Sequence, residues 1–83
     1  MHAAPIQDLD TDYTPRYVSL ARLLLGLIED GTYPAGGLLP SSRRLAKTHD
    51  VSVSTAIHAL GLLKNKGHIR YTVGKPYQVI SKA

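Results

Sequence analysis

The chain has 83 residues and no cysteine, which suffices for one small domain and excludes disulfide bonds and thiolate metal sites. Its net charge of +4 is unevenly distributed, because residues 1–42 contain two basic and five acidic side chains whereas residues 43–83 contain eight basic and one acidic. Such an excess of positive charge in the second half predicts a polyanionic partner, the alternative being a basic surface that binds nothing.

Residues 1–13 show no apolar periodicity and contain Pro5 and three aspartates, so we predict a flexible N-terminal arm ahead of a domain formed by residues 14–83. An arm docked through Ile6 and Leu9 is the alternative. The arm lacks the basic region of a signal peptide, and the densest apolar run in the chain is too short to span a bilayer. We therefore expect a cytoplasmic protein with no membrane partner.

The first predicted helix starts at Thr14-Pro15, where a hydroxyl cap is followed by proline at the first helical position. Gly31 ends this helix, because glycine readily adopts the left-handed conformation that follows a helix C-terminus. Apolar residues at helical spacing form the inward face of the helix: Tyr17, Leu20, Ala21, Leu24 and Ile28.

A second and a third helix follow, joined by a tight turn. Ser41 caps the second helix, residues 42–48, and Ser52 caps the third, which ends at Gly67. Between them, Asp50 occupies a turn position that needs a left-handed or bridging backbone conformation. The predicted inward side chains are Leu45 and Ala46 in the second helix and Ala56, Ala59, Leu60 and Leu63 in the third.

Apolar and polar residues alternate after Gly67, which predicts a β-hairpin. Ile69 and Tyr71 would face one side of it, and Gly74-Lys75-Pro76 would form its tip. Leu38-Leu39, in the loop between the first two helices, is long enough for one short strand pairing. A bare hairpin is marginally stable, so it must pack on the helices. The predicted fold is therefore mainly α with a small β-hairpin (α+β): a winged helix-turn-helix of three helices plus a wing.

A longer motif runs through these elements. Leu39-Pro40-Ser41 is followed by Arg43, Leu45 and Ala46, and then in register by Val51-Ser52, Ala59-Leu60, Leu63 and Gly67. With the residues around it, from 17 to 79, this motif resembles the N-terminal DNA-binding domain of the GntR family of bacterial regulators. Members of that family usually have a ligand-sensing and dimerising domain after the wing. This chain ends at Ala83, so it is either truncated or, as we expect, a stand-alone domain.

The resemblance implies sequence-specific binding of double-stranded DNA by a bacterial transcriptional regulator, and we expect a repressor associated with the nucleoid. The start of the third helix would enter the major groove, and the wing would touch the minor groove or the phosphates. The predicted DNA contacts are Arg43, Arg44, Lys47, Ser52, Val53, Ser54, Thr55, His58 and Lys75. We predict no cofactor, no metal site and no small-molecule effector site, since His49 and His58 have no third ligand at helical spacing.

Two residues of the third helix depart from the family pattern, because Val53 and Ile57 stand where relatives usually have arginine. The absence of these arginines removes guanine recognition at one position and a phosphate contact at the other. Val53 is instead suited to contact a thymine methyl group. In the second helix, Ser42 and Arg44 replace acidic residues of the family, which moves positive charge toward that helix. DNA specificity should therefore differ from that of the relatives.

A different function remains open as the alternative. Four residues are apolar where relatives are generally polar, and together they predict an interface for a homodimer or a partner protein: Val18, Leu25, Ile57 and Leu62. The chain would then be a protein-interaction module that keeps the winged fold. An enzyme is not expected, because the sequence shows no paired carboxylates, no nucleophile with a base and no phosphate-binding glycine loop.

Overall fold

The computed structural model describes residues 14–80, and the predicted N-terminal arm lies outside them. Three helices precede a two-stranded antiparallel sheet in this part of the chain. The first helix, α1 (Arg16–Glu29), and the second, α2 (Ser42–His49), both pack on the third, α3 (Val53–Asn65), which is therefore the central element. The predicted fold, three helices plus a wing, is confirmed. The elements are α1 (Arg16–Glu29), α2 (Ser42–His49), α3 (Val53–Asn65), β1 (Ile69–Arg70) and β2 (Gln78–Val79).

The start of α1 differs from the prediction by one residue. Pro15 is the N-cap, with φ −56° and ψ 146°, and no side chain caps the helix. The Pro15 carbonyl accepts hydrogen bonds from the backbone N–H groups of Val18 and Ser19, at 3.0 and 3.1 Å. The predicted Thr14 cap is therefore wrong. The fixed φ of proline suits an extended N-cap as well as the first helical position, so the sequence pattern does not separate the two.

The C-terminus of α1 is as predicted, because Gly31 follows the helix with a left-handed φ of +88°. The adjacent Asp30 accepts a hydrogen bond from the backbone N–H of Thr32 at 2.8 Å. This backbone hydrogen bond, with a further one from the Thr32 side chain, lowers the pKa of Asp30 below its ordinary value.

A single hydrophobic core joins the three helices to the sheet. All six residues predicted to face inward from α2 and α3 are buried, and those of α3 are at most 1% exposed. The inward face of α1 is narrower than predicted, since Tyr17 is 36% exposed and Ile28 is only partly buried. The buried apolar residues are Leu20, Ala21, Leu24, Leu39, Leu45, Ala46, Ala56, Ala59, Leu60, Leu63, Ile69 and Val79.

The hairpin pairs Ile69 with Val79 and Arg70 with Gln78. Leu38 forms an isolated antiparallel bridge with Gln78, so the predicted strand pairing of the first loop is confirmed. Leu39 N–H strengthens it by donating to the carbonyl of Tyr77 at 2.9 Å. These contacts attach the wing to the first loop, and β1 also packs on α3.

The strands are shorter than the alternating sequence predicts, since β1 ends at Arg70. Tyr71 was predicted to share the side of the buried Ile69, but it lies beyond the strand and is 51% exposed. A turn interrupts the ladder, because Lys75 N–H donates to the Thr72 carbonyl at 2.9 Å and Gly74 has a φ of +78°. Pro76 lacks an N–H group and cannot extend the pairing. The wing is therefore a short ladder with an open loop at its end.

Glycine at the helix interiors costs stability that alanine would recover. We expect Gly26→Ala and Gly61→Ala each to raise the free energy of unfolding by about 0.5–1 kcal/mol, because a Cβ at either position meets nothing within 4 Å. Gly67→Ala is the contrasting control. It should be destabilising, since Gly67 has a φ of +83°. Thermal unfolding followed by circular dichroism measures all three, and a loss of stability for the two helix variants would contradict this account.

Candidate nucleic-acid interface

The turn between α2 and α3 fixes the position of the third helix. Asp50 has φ 56° and ψ 51°, which confirms the predicted left-handed residue. Val51 N–H donates to the carbonyl of Ala46 at 2.9 Å and closes the turn. Val51 itself is only partly buried against the core. Only three residues join the two helices: the C-cap Asp50, Val51 and the N-cap Ser52. Because this connection is so short, the position of α2 fixes the orientation of α3.

The N-terminus of α3 is capped by Ser52, as predicted. The Ser52 hydroxyl oxygen accepts from the backbone N–H of Thr55 at 3.0 Å, and the same hydroxyl donates to Thr55 Oγ1 at 2.9 Å. The positive end of the helix dipole and the uncapped N–H groups of the first turn make this end of α3 favourable for phosphate.

One face of α3 is open to solvent along its first half. Val53 is 41% exposed and Ile57 is 50% exposed, and Ser54 and His58 are also exposed. The opposite face is fully buried in the core. The His58 ring packs edge-on against Tyr17 of α1, with 5.7 Å between ring centroids. Three of these four residues thus form a free helical surface, and His58 lies at its border with α1.

A second surface, on α2, is basic. Arg43, Arg44 and Lys47 are exposed, and they line a shallow depression together with Ser41 and Thr48. Within residues 14–80 no hydrogen bond or ion pair involves these three charged side chains. Ser41 is the predicted cap of α2, accepting from the backbone N–H of Arg44 at 3.1 Å. The predicted basic contacts of α2 are therefore brought together, with their charges directed to solvent.

The tip of the wing contains the predicted Lys75, which is exposed, and a residue that the sequence pattern missed. Val73 is 85% exposed, next to the Gly74 turn. Alternation from Ile69 would have placed Val73 on the inner side of a strand. The turn residues Gly74 and Pro76 are the sequence signals that the ladder ends near this point. At the base of the loop, Tyr71 and Tyr77 pack with 5.2 Å between ring centroids.

The four residues predicted as an interface do not form one exposed patch. Val18, Leu25 and Leu62 are partly buried and line a groove between α1 and α3, bordered by the basic side chains of Arg22, Lys66 and His68. Ile57 lies in a neighbouring depression, which Leu62 also borders and which contains Tyr17 and Tyr77. The structure therefore separates Ile57, on the free face of α3, from the groove.

Among residues 14–80 no group of three histidine, cysteine, aspartate or glutamate side chains is arranged to bind a metal ion. None of the helices in the described part of the chain is long and apolar enough to cross a membrane.

The fold and these surfaces define a winged helix-turn-helix domain. The family model described as "Bacterial regulatory proteins, gntR family" matches residues 16–79. The chain belongs to the GntR family, and this part of it is the DNA-binding domain of a transcriptional regulator of that family. Membership in this family does not favour the alternative of a protein-interaction module.

Similar proteins support this assignment. The chain is 39% identical over 67 residues to the uncharacterized HTH-type transcriptional regulator YdfD of Bacillus subtilis, an alignment that covers 81% of the chain and 14% of YdfD. YtrA from Sulfolobus acidocaldarius, a GntR-family transcription factor, is 33% identical with a TM-score of 0.75, covering 84% of this chain and 73% of YtrA. The DNA-binding domain of AraR, in complex with operator ORX1, shares the fold at 20% identity and a TM-score of 0.77, covering 95% and 92% of the two chains.

Proposed function

We propose that this domain binds double-stranded DNA in a sequence-specific manner, with the first half of α3 in the major groove. The observation that carries the proposal is the division of α3 into a fully buried face and a free face that begins at a capped, positively polarised N-terminus. The DNA-binding domain of AraR, which shares the fold, was solved in complex with operator DNA, and this supports DNA as the partner of the present chain.

Each surface has a role in this proposal. Arg43, Arg44 and Lys47 of α2 bind phosphates on one side of the groove, and Lys75 binds them from the wing. On α3, the hydroxyl groups of Ser54 and Thr55 contact base edges or phosphate. Ser52 is first a cap, and the N–H groups beside it add a phosphate site. His58 contributes at the border of the surface.

The regulatory output proposed is repression in a bacterial cytoplasm. Occupancy of an operator is sufficient to exclude other proteins from it, whereas activation needs a further contact surface. A single domain of this size neutralises few phosphates, so we propose that two copies or two sites act together.

Selection of bound duplexes from a random pool, at a fixed salt concentration, tests the proposal. We expect enrichment of a short sequence, repeated at one helical turn or a multiple of it if two copies bind. Fluorescence anisotropy should then show tighter binding to the selected duplex than to a scrambled duplex of the same composition, and the affinity should fall steeply with salt. Failure to enrich any sequence, with equal affinity for both duplexes, would overturn sequence-specific binding.

A further inference from the structure

Val53 and Ile57 form an aliphatic stripe on the free face of α3. They are one helical turn apart, so their Cβ atoms are about 6 Å apart on the same side of the helix. Val53 is 41% exposed and Ile57 is 50% exposed, and neither belongs to the hydrophobic core. The core of α3 is complete without them, since Ala56, Ala59 and Leu60 on the opposite face are fully buried.

This stripe lies where the proposed function places base edges, and its chemistry restricts what it can contact. An aliphatic side chain neither donates nor accepts a hydrogen bond, so a polar base-edge atom that it covers loses its water without replacement. The apolar group that bases present in the major groove is the C5-methyl of thymine. Contact with that methyl removes apolar surface from water on both partners.

We propose that Val53 and Ile57 are specificity residues that contact thymine methyl groups in the major groove, so that the operator has thymine at the positions facing them. The inference rests on the proposed function and assigns it a base preference. Ser54 is also exposed, about 100° around the helix from Val53, and supplies a polar contact beside the stripe. The stripe thus gives α3 recognition by shape and methyl contact in place of charged hydrogen bonds.

Deoxyuridine tests this directly, because it pairs with adenine as thymine does but lacks the methyl group. Each thymine of the selected duplex is replaced singly by deoxyuridine, and binding is measured by anisotropy. We expect about a four-fold loss of affinity at each position whose methyl is contacted, and no loss elsewhere. The double variant Val53→Ala/Ile57→Ala should bind the thymine and deoxyuridine duplexes equally.

The variant also separates methyl contact from altered duplex shape, since a shape effect would persist in it. Leu23→Ala is the matched control, because Leu23 is a 49% exposed aliphatic residue on α1 and should leave the deoxyuridine penalty unchanged. Circular dichroism verifies that each variant is folded. Equal affinity of the wild-type domain for thymine and deoxyuridine duplexes, or a penalty that persists in the double variant, would overturn the inference and leave the proposed function standing. Absence of any sequence-specific binding would overturn both.

Discussion

Leu60→Ala is expected to lower the free energy of unfolding by about 2–5 kcal/mol, since it leaves a cavity in the core. Leu60 is 0% exposed and lies in the middle of α3, on which both α1 and α2 pack. Small domains are stable by only about 5 kcal/mol, so much of the variant should be unfolded at 37 °C. Urea denaturation followed by circular dichroism measures the change.

Leu23→Ala serves as the control for that variant, because it removes the same atoms from a side chain that is 49% exposed. Its loss should be below about 1 kcal/mol. If the two variants lost the same amount of stability, α3 would not be the central element of the fold.

Arg43→Ala is expected to reduce the affinity for the selected duplex about ten-fold and to lower the slope of log affinity against log salt by about 1. Arg43 is exposed on the basic face of α2 and has no hydrogen-bond or ion-pair partner within residues 14–80, so its charge is available to a phosphate. Anisotropy titrations at three or more salt concentrations give both quantities.

Arg22→Ala is the matched control, because Arg22 is an exposed arginine on α1 that borders the groove between α1 and α3 rather than the basic face of α2. General charge loss should affect both variants equally, whereas a phosphate contact at Arg43 should make its effect larger. Equal affinities and equal salt slopes for the two variants would contradict the assignment of the α2 surface to DNA.

Local backbone chemistry explains why most of the fold was predictable from sequence. Ser41 and Ser52 mark helix starts by a hydroxyl that accepts a backbone hydrogen bond, and Asp50 and Gly67 mark turns by their positive φ. These signals depend on one residue and its nearest neighbours. The apolar spacing of α3 then identifies its buried face without reference to the rest of the chain.

The errors arose where two structures satisfy the same local rule. Pro15 fits the N-cap and the first helical position equally, and only the hydrogen bonds to its carbonyl separate them. Alternation assigned Tyr71 to the same side of a strand as Ile69, but that holds only while the ladder continues, and the turn at Gly74 ends it.

For the candidate site, the sequence predicted its residue types and the structure located them. Arg43 and Lys47 were predicted as basic contacts, and the structure places them on one exposed surface. The division of the apolar residues was not predictable, because it depends on how α1 packs on α3, which places Val18 and Leu25 in a groove that does not include Ile57.

The central claim is that the free face of α3 is the surface that binds DNA, and chemical-shift mapping of the ¹⁵N-labelled domain with the selected duplex tests it most directly. We predict that the largest amide shifts occur at residues 52–58, with further shifts at Arg43 and Lys75. Shifts confined to the groove lined by Val18, Leu25 and Leu62, with none in the first half of α3, would contradict the claim.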